Sequence, residues 1–366
     1  MPRLRVEPED FVVDELPLYP PAGEGGHTFL RVEKRGRDTE EVARALARAA
    51  GVAPREVGYA GRKDRRAVAR QWFSVPGLDP ERALALELPG ARVLEAARHP
   101  HKLRTGQLRG NAFAIAVRDV DAAGAERARE RLAELVRVGL PNRFGPQRYG
   151  RDADNAARGR AVLEGRLRPR DRRAARFLVS ALQAAVFDEA LARRPLPLDA
   201  VEAGDVAQVV ASGGLFRVED LAREAARAAR FEISATGPIF GSGGRDPAPT
   251  GAPADREAAA LAAWGIDEAL LRGAPPALRP RGARRPLRVP VADAACAHRG
   301  DVLALRFALP AGSFATVLVE ALLGPLDAAP DGSTSDGADG GPSPRVDCVV
   351  HATEDLRCRS PPTSPS

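Results

Sequence analysis

The residues Gly58-Tyr59-Ala60-Gly61-Arg62-Lys63-Asp64-Arg65-Arg66-Ala67 place one acid among four cations, just after a glycine turn at a strand end. Neighbouring positive charge favours the carboxylate form of an acid. Loops placed by a rigid scaffold are common homes for catalysis. Asp64 is therefore a candidate reactive carboxylate. The same residues also suit a solvated charged turn in which Asp64 pairs with Lys63 or an arginine, because surface ion pairs are ordinary.

A second segment, Pro141-Asn142-Arg143-Phe144-Gly145-Pro146-Gln147-Arg148-Tyr149-Gly150, interleaves aromatics, arginines and amides between glycines. Holding an unstacked base needs those groups: a ring to stack on, amides for the base edge and arginines for phosphates. Eleven arginines and four acids lie between Arg143 and Arg176, a net charge of +7. A basic loop and helix with Phe144 in the core fits equally well. A third segment, His101-Lys102-Leu103-Arg104-Thr105-Gly106-Gln107-Leu108-Arg109-Gly110-Asn111, is basic and turn-rich and feeds a strand. It suits phosphate contact or a plain charged hairpin.

Other chemistries lack their residues. There is no GxxxxGK[ST] loop and no GxSxG elbow, and Gly241-Ser242-Gly243-Gly244 follows no clear βαβ context. Cys296, Cys348 and Cys358 form no CxxC, and the five histidines show no ligand spacing beyond the weak pair His99 and His101. No metal site and no nucleotide cofactor are expected. The chain shows no apolar run long enough for a membrane span and no signal-peptide core at its start, so a cytoplasmic protein is expected.

The net charge of +6 and pI near 9.8 suit a polyanionic partner. That charge is uneven, because residues 325–366 carry seven acids against three arginines. Only three of the 55 basic side chains are lysines: Lys34, Lys63 and Lys102. A lysine that persists where arginine is otherwise used points to chemistry an arginine cannot copy, since the two differ in size, geometry and hydration.

The elements that must carry these segments alternate without a strict βαβ order, which indicates an α+β fold. Strands are expected at Phe11-Val12-Val13, 27–33, 57–61, 71–75, 111–117, 287–291 and 302–307. Asp38-Thr39-Glu40-Glu41 opens a helix that Gly51 stops. Further helices are expected over 126–138, burying Leu132, Leu135 and Val136, and over 174–193, burying Phe177, Leu178, Ala181, Leu182, Val186 and Leu191. A surface loop is expected at 273–276, and residues 325–366, rich in Gly, Pro, Ser and Asp, should be disordered.

Taken together the motifs resemble the TruD family of pseudouridine synthases. Pro8-Glu9-Asp10-Phe11-Val12-Val13 is similar to its N-terminal strand signature. Residues 58–67 with Gln71-Trp72-Phe73-Ser74 resemble the motif around its catalytic aspartate. Lys102 to Gly106, with Asn111-Ala112-Phe113, matches the hairpin that follows. Asn142 to Gly150 resembles NxFGxQRFG, Thr236 to Gly241 a motif of the inserted TRUD domain, and Leu309 to Thr316 the last core segment. Arg62, Tyr149 and Arg5 depart from common family residues, and Arg5 keeps the charge of a lysine found near the active site of some members.

The resemblance implies a pseudouridine-synthase catalytic fold with a mixed, largely antiparallel sheet. The catalytic domain would occupy 1–150 and 286–324, with an inserted α/β TRUD domain over 151–285. It implies a cofactor-free enzyme, expected to be a monomer, that isomerises a uridine of tRNA, uridine 13, to pseudouridine. Asp64 would be the catalytic carboxylate. Phe144 would stack on the base, and Asn142 would hold the loop or the base edge. Arg5 or Lys63 would pair with Asp64, while Lys102, Arg104, Arg148 and Arg151 would grip the RNA backbone. The competing reading is a non-catalytic RNA-binding or RNA-chaperone protein on the same scaffold, which needs the basic surface but no aspartate.

Overall fold

A computed structural model describes residues 1–244 and 246–328. Most of the acidic segment expected to be disordered, 329–366, lies outside the described residues. Asp327–Ala328 does not: it forms a two-residue strand parallel to Arg3–Leu4.

The described residues divide into two compact units, one of Met1–Arg129 with Asp293–Ala311 and residues 323–328, the other of Glu130–Ala292 with Gly312–Leu322. These are boundaries of packing, whereas the expected boundaries at 150 and 285 follow motifs. The second unit accordingly takes in the Asn142 to Gly150 segment.

The first unit is built on a ten-stranded sheet. Its main path runs Ala292–Arg299, Val302–Pro310, Leu108–Arg118, Phe11–Pro17, Val68–Pro76, His27–Arg35, Ala91–His99. Pairing along it is antiparallel except where Phe11–Pro17 meets Val68–Pro76 in parallel. The sheet is mixed and largely antiparallel, and the fold is α+β. Alternation in Asn111-Ala112-Phe113-Ala114-Ile115-Ala116-Val117 turns Phe113, Ile115 and Val117 into the core, where Phe113 stacks on Phe307 at 5.2 Å.

Helix Thr39–Ala50 forms as its ends dictate. Asp38 accepts from the Glu41 amide while the Glu41 side chain accepts from the Asp38 amide, and Gly51 takes a left-handed conformation at the far end. Its buried face, Val42, Ala43, Leu46 and Ala47, joins Leu30, Val32, Phe73 and Val75 in one core cluster.

In the second unit, helix Arg172–Ala192 is capped by Asp171 and buries Leu178, Val179, Leu182, Val186 and Phe187. Beside it lies a four-stranded sheet ordered Leu215–Arg217, Val206–Val209, Ile233–Ile239, Ala283–Pro286. A separate two-stranded pairing joins Leu140–Pro141 to Arg288–Val289.

Several expectations change. Ala91–His99, an unforeseen strand, is rich in Ala and Arg, which read as helix formers. Its long antiparallel pairing with His27–Arg35 overrides that propensity. The strand expected at 287–291 shrinks to Arg288–Val289. Val136 and Phe177, expected in the core, are 46% and 44% exposed because each lies at the edge of its helix's apolar stripe. The loop expected at 273–276 begins one residue later, because Gly273 ends the short helix Glu268–Gly273.

Gly58 begins the segment that carries Asp64 at a point of close approach. A Cβ there would run into the Leu103 carbonyl and the Ser74 hydroxyl. That hydroxyl accepts from the Leu103 amide at 2.9 Å, tying the segment to the following hairpin. Gly58→Ala should therefore destabilise the protein by about 1–3 kcal/mol, the usual cost of overpacking. The check is the midpoint of a urea transition, and an unchanged midpoint would show that the backbone yields there.

Candidate functional site

The segment carrying Asp64 has no regular structure beyond strand Gly58–Tyr59. Its backbone is held by side chains from the sheet and from the first helix. Thr39 Oγ1, at the first turn of that helix, accepts from the Lys63 amide at 2.9 Å and donates to Gln71 Oε1 at 2.8 Å. Gln71 Nε2 then donates to the Gly61 carbonyl at 3.2 Å. The Ala60 carbonyl accepts from Gly106 at 2.7 Å.

Lys34 makes the central contact. Its ammonium donates to the carbonyls of Arg37 at 2.7 Å, Asp64 at 2.8 Å and Lys63 at 3.3 Å. The residue is 1% exposed, and burial pulls its pKa down to about 8 against the favourable charges of Asp64 and Asp38. Three acceptors for three donors leave the buried ammonium satisfied.

The Asp64 carboxylate, in contrast, stays accessible, with 42% of its side chain exposed. Arg5 Nη2 donates to Asp64 Oδ2 at 2.6 Å. Arg5 adopts a left-handed backbone with φ 61°, and its guanidinium lies 4.1 Å from the centre of the Phe11 ring. Arg5 Nε is buried with no hydrogen-bond partner among the described residues. Leaving a buried donor unpaired costs stability.

Of the two cations expected to pair with Asp64, Arg5 does so and Lys63 does not. The Lys63 ammonium turns inward to Glu15, with side chains 6% and 1% exposed. Glu15 Oε1 also accepts from the Trp72 amide at 3.2 Å. Lys102 donates to the Arg55 carbonyl, and Arg104 is exposed.

In the second unit Asn142 is buried, and its amide is used within the chain. Asn142 Nδ2 donates to the Pro286 carbonyl at 2.8 Å, and Oδ1 accepts from Arg285. It holds the loop. Phe144 is half-buried, edge-on to Phe187 at 5.8 Å and tilted against Phe314 at 6.0 Å. The Arg285 guanidinium lies 4.3 Å and that of Arg148 5.4 Å from its ring centre. Burial lowers the Arg285 pKa to about 10 and lowers that of Arg148 as well. Arg151 is exposed.

Three participants went unread in the sequence. Asp188 accepts from the Phe144 amide at 3.1 Å and from the Tyr149 hydroxyl, and burial raises its pKa. Burial likewise pushes the Tyr149 hydroxyl up. Asp188, Arg285 and Glu15 lie in ordinary helix or strand patterns, so no local signal marks them. Lys34 did carry a signal, the scarcity of lysine. Among the described residues no cluster of His, Cys, Asp or Glu could hold a metal ion, and no helix is long and apolar enough to cross a membrane.

The first unit is thus a largely antiparallel sheet on which the Asp64 carboxylate is exposed beside the Arg5 guanidinium. The fold matches a solved structure titled a putative tRNA pseudouridine synthase D from Methanosarcina mazei, with a TM-score of 0.72 and 21% identity, over 88% of this chain and 94% of that one. The sequence profile of tRNA pseudouridine synthase D (TruD) matches residues 2–170 and 167–322. Proteins named tRNA pseudouridine synthase D are 39% identical in Geobacter metallireducens, 46% in Anaeromyxobacter dehalogenans and 44% in Thermus thermophilus. These alignments cover 86%, 87% and 87% of this chain and 93%, 92% and 88% of the relatives. The chain belongs to the TruD family, and it is an enzyme of the isomerase class.

Lys34 has a pH signature. Its folded pKa of about 8 lies below the ordinary 10.5, so between those values the unfolded chain holds the proton more tightly. Stability should therefore rise with pH across this window, by about 3 kcal/mol in total from this group. Below pH 8 both states are protonated and the full desolvation cost remains. Urea unfolding of wild type and Lys34→Met between pH 7.5 and 10.5 checks this. The wild type should gain on the variant as pH rises, and parallel curves would refute it.

Proposed function

We propose that this protein converts a uridine of tRNA, uridine 13, to pseudouridine, with Asp64 as the catalytic group. The observation that carries this is the accessible Asp64 carboxylate, paired with Arg5 and mounted on a backbone held by the Lys34 ammonium. The names of the relatives supply the substrate class.

The reaction moves a bond without net redox change. The bond from C1′ to N1 breaks, the uracil turns, and C1′ joins C5. The C5 proton leaves and N1 takes one up. One carboxylate can start this, either by attacking C1′ as a nucleophile or by removing the C2′ proton to give a glycal-type intermediate. Arg5 Nη2 holds the Asp64 carboxylate in place for either route. The detached base must be held in place, and positioning of that kind supplies much of the rate gain.

In the second unit Phe144 offers a ring for stacking on a base of the RNA, with Asp188, Arg285 and Asn142 fixing its loop. Lys102 and Arg104 in the first unit, and Arg148 and Arg151 in the second, are cations for RNA phosphates, and the buried stacking of Arg148 makes its contribution mainly one of charge. Extruding a base from its stack costs a few kcal/mol, which these contacts offset.

Asp64→Asn should abolish pseudouridine formation in a tRNA transcript while tRNA binding survives. Turnover at the wild-type rate would remove Asp64 from the reaction. Phe144→Ala should lower turnover more than affinity, by about tenfold or more, if one base–aromatic stack is lost. An unchanged rate would return Phe144 to a core role.

A further inference from the structure

Helix Arg172–Ala192 buries most of its length, yet its first turns present Arg172, Arg173, Arg176 and Phe177 to solvent. Phe177 is the one aromatic among the exposed large apolar side chains of the described residues. A solitary exposed apolar residue is usually unremarkable. This one has a fixed charged partner.

The Arg148 guanidinium lies 5.8 Å from the Phe177 ring centre and 5.4 Å from that of Phe144, so the two rings share one cation. Arg148 Nη1 donates to Ser180 Oγ at 3.1 Å, and that hydroxyl donates to the Phe177 carbonyl at 2.8 Å. The arginine is thereby locked beside the ring. Arg173 precedes Phe177 by one helical turn and shares its face. Arg172 and Arg176 have no hydrogen bond or ion pair among the described residues.

A single ring set in positive charge is too small and too cationic for an apolar protein interface, whose centre is depleted of charge. Its complement is a flat π surface with negative charge alongside, the description of a nucleotide. We propose that Phe177 and its arginine collar form a second stacking platform, which takes an unpaired nucleobase of the RNA near the base on Phe144, with its phosphate against Arg172 and Arg176. This rests on the reading of Phe144 and the RNA substrate given above, and adds a second contact to it.

The test uses the full chain and a tRNA transcript. Phe177→Ala should raise the tRNA Kd about tenfold, the loss expected for one base–aromatic stack. Phe177→Trp should bind within about twofold of wild type. Its added indole emission, measured against the background of Trp72 and Trp264, should be quenched by tRNA. Arg172→Ala with Arg176→Ala should flatten the dependence of log Kd on log salt by roughly one unit. A Kd indifferent to Phe177→Ala, or an indole blind to tRNA, overturns the platform. Pseudouridine is scored in the same samples. Its absence with wild type, alongside a Phe177-dependent Kd, sinks the role of Asp64 and leaves the platform standing. Its presence with a Kd indifferent to Phe177 sinks the platform alone.

Discussion

A carboxylate that meets substrate must stay accessible, while the backbone beneath it must not move. Asp64 satisfies both demands because its rigidity comes from elsewhere. The Lys34 ammonium, buried in the sheet, draws three carbonyls to one point, one of them that of Asp64 itself. Thr39 and Gln71 fix the residues just before it. An ordinary helix or strand would hold its backbone by its own ladder, but then the carboxylate would be committed to one face of it. A segment without regular structure, pinned by side chains, leaves the carboxylate free to project. The burial cost of the ammonium is the counterpart of that precision.

The chain divides its cationic work by side-chain geometry. The planar guanidinium stacks and spreads its charge, and arginines accordingly lie over aromatic rings: Arg5 over Phe11, Arg285 and Arg148 over Phe144. A compact ammonium with three rotatable donors suits a cage of carbonyls or a buried carboxylate. Lys34 fills the first role, and Lys63, facing Glu15, fills the second. In a chain that uses arginine nearly everywhere, Lys34 thus occupies a site that a planar fork would fit badly.

The acids divide in the same way. Glu15 and Asp188 are inward acceptors that anchor a lysine and a main-chain amide, whereas Asp64 faces outward. The contrast separates acids that build the two units from the exposed carboxylate proposed for the chemistry. The TruD sequence profile spans both units.

The sequence alone determined much that is local. The cap at Asp38 and the stop at Gly51 mark the first helix, alternation marks the strand around Phe113, and the clustered charges single out Asp64. Each of these is written within a few consecutive residues. Tertiary structure decided the rest. It made a strand of the alanine- and arginine-rich 91–99 segment, because pairing with a neighbour outweighs weak intrinsic preference. It also sent Lys63 to Glu15 and left Arg5 for Asp64, a choice between two nearby cations that depends on residues 48 and 59 positions apart. Local patterns report which residues can pair. Only the folded sheet, by fixing which of them come within a few ångströms, settles which ones do.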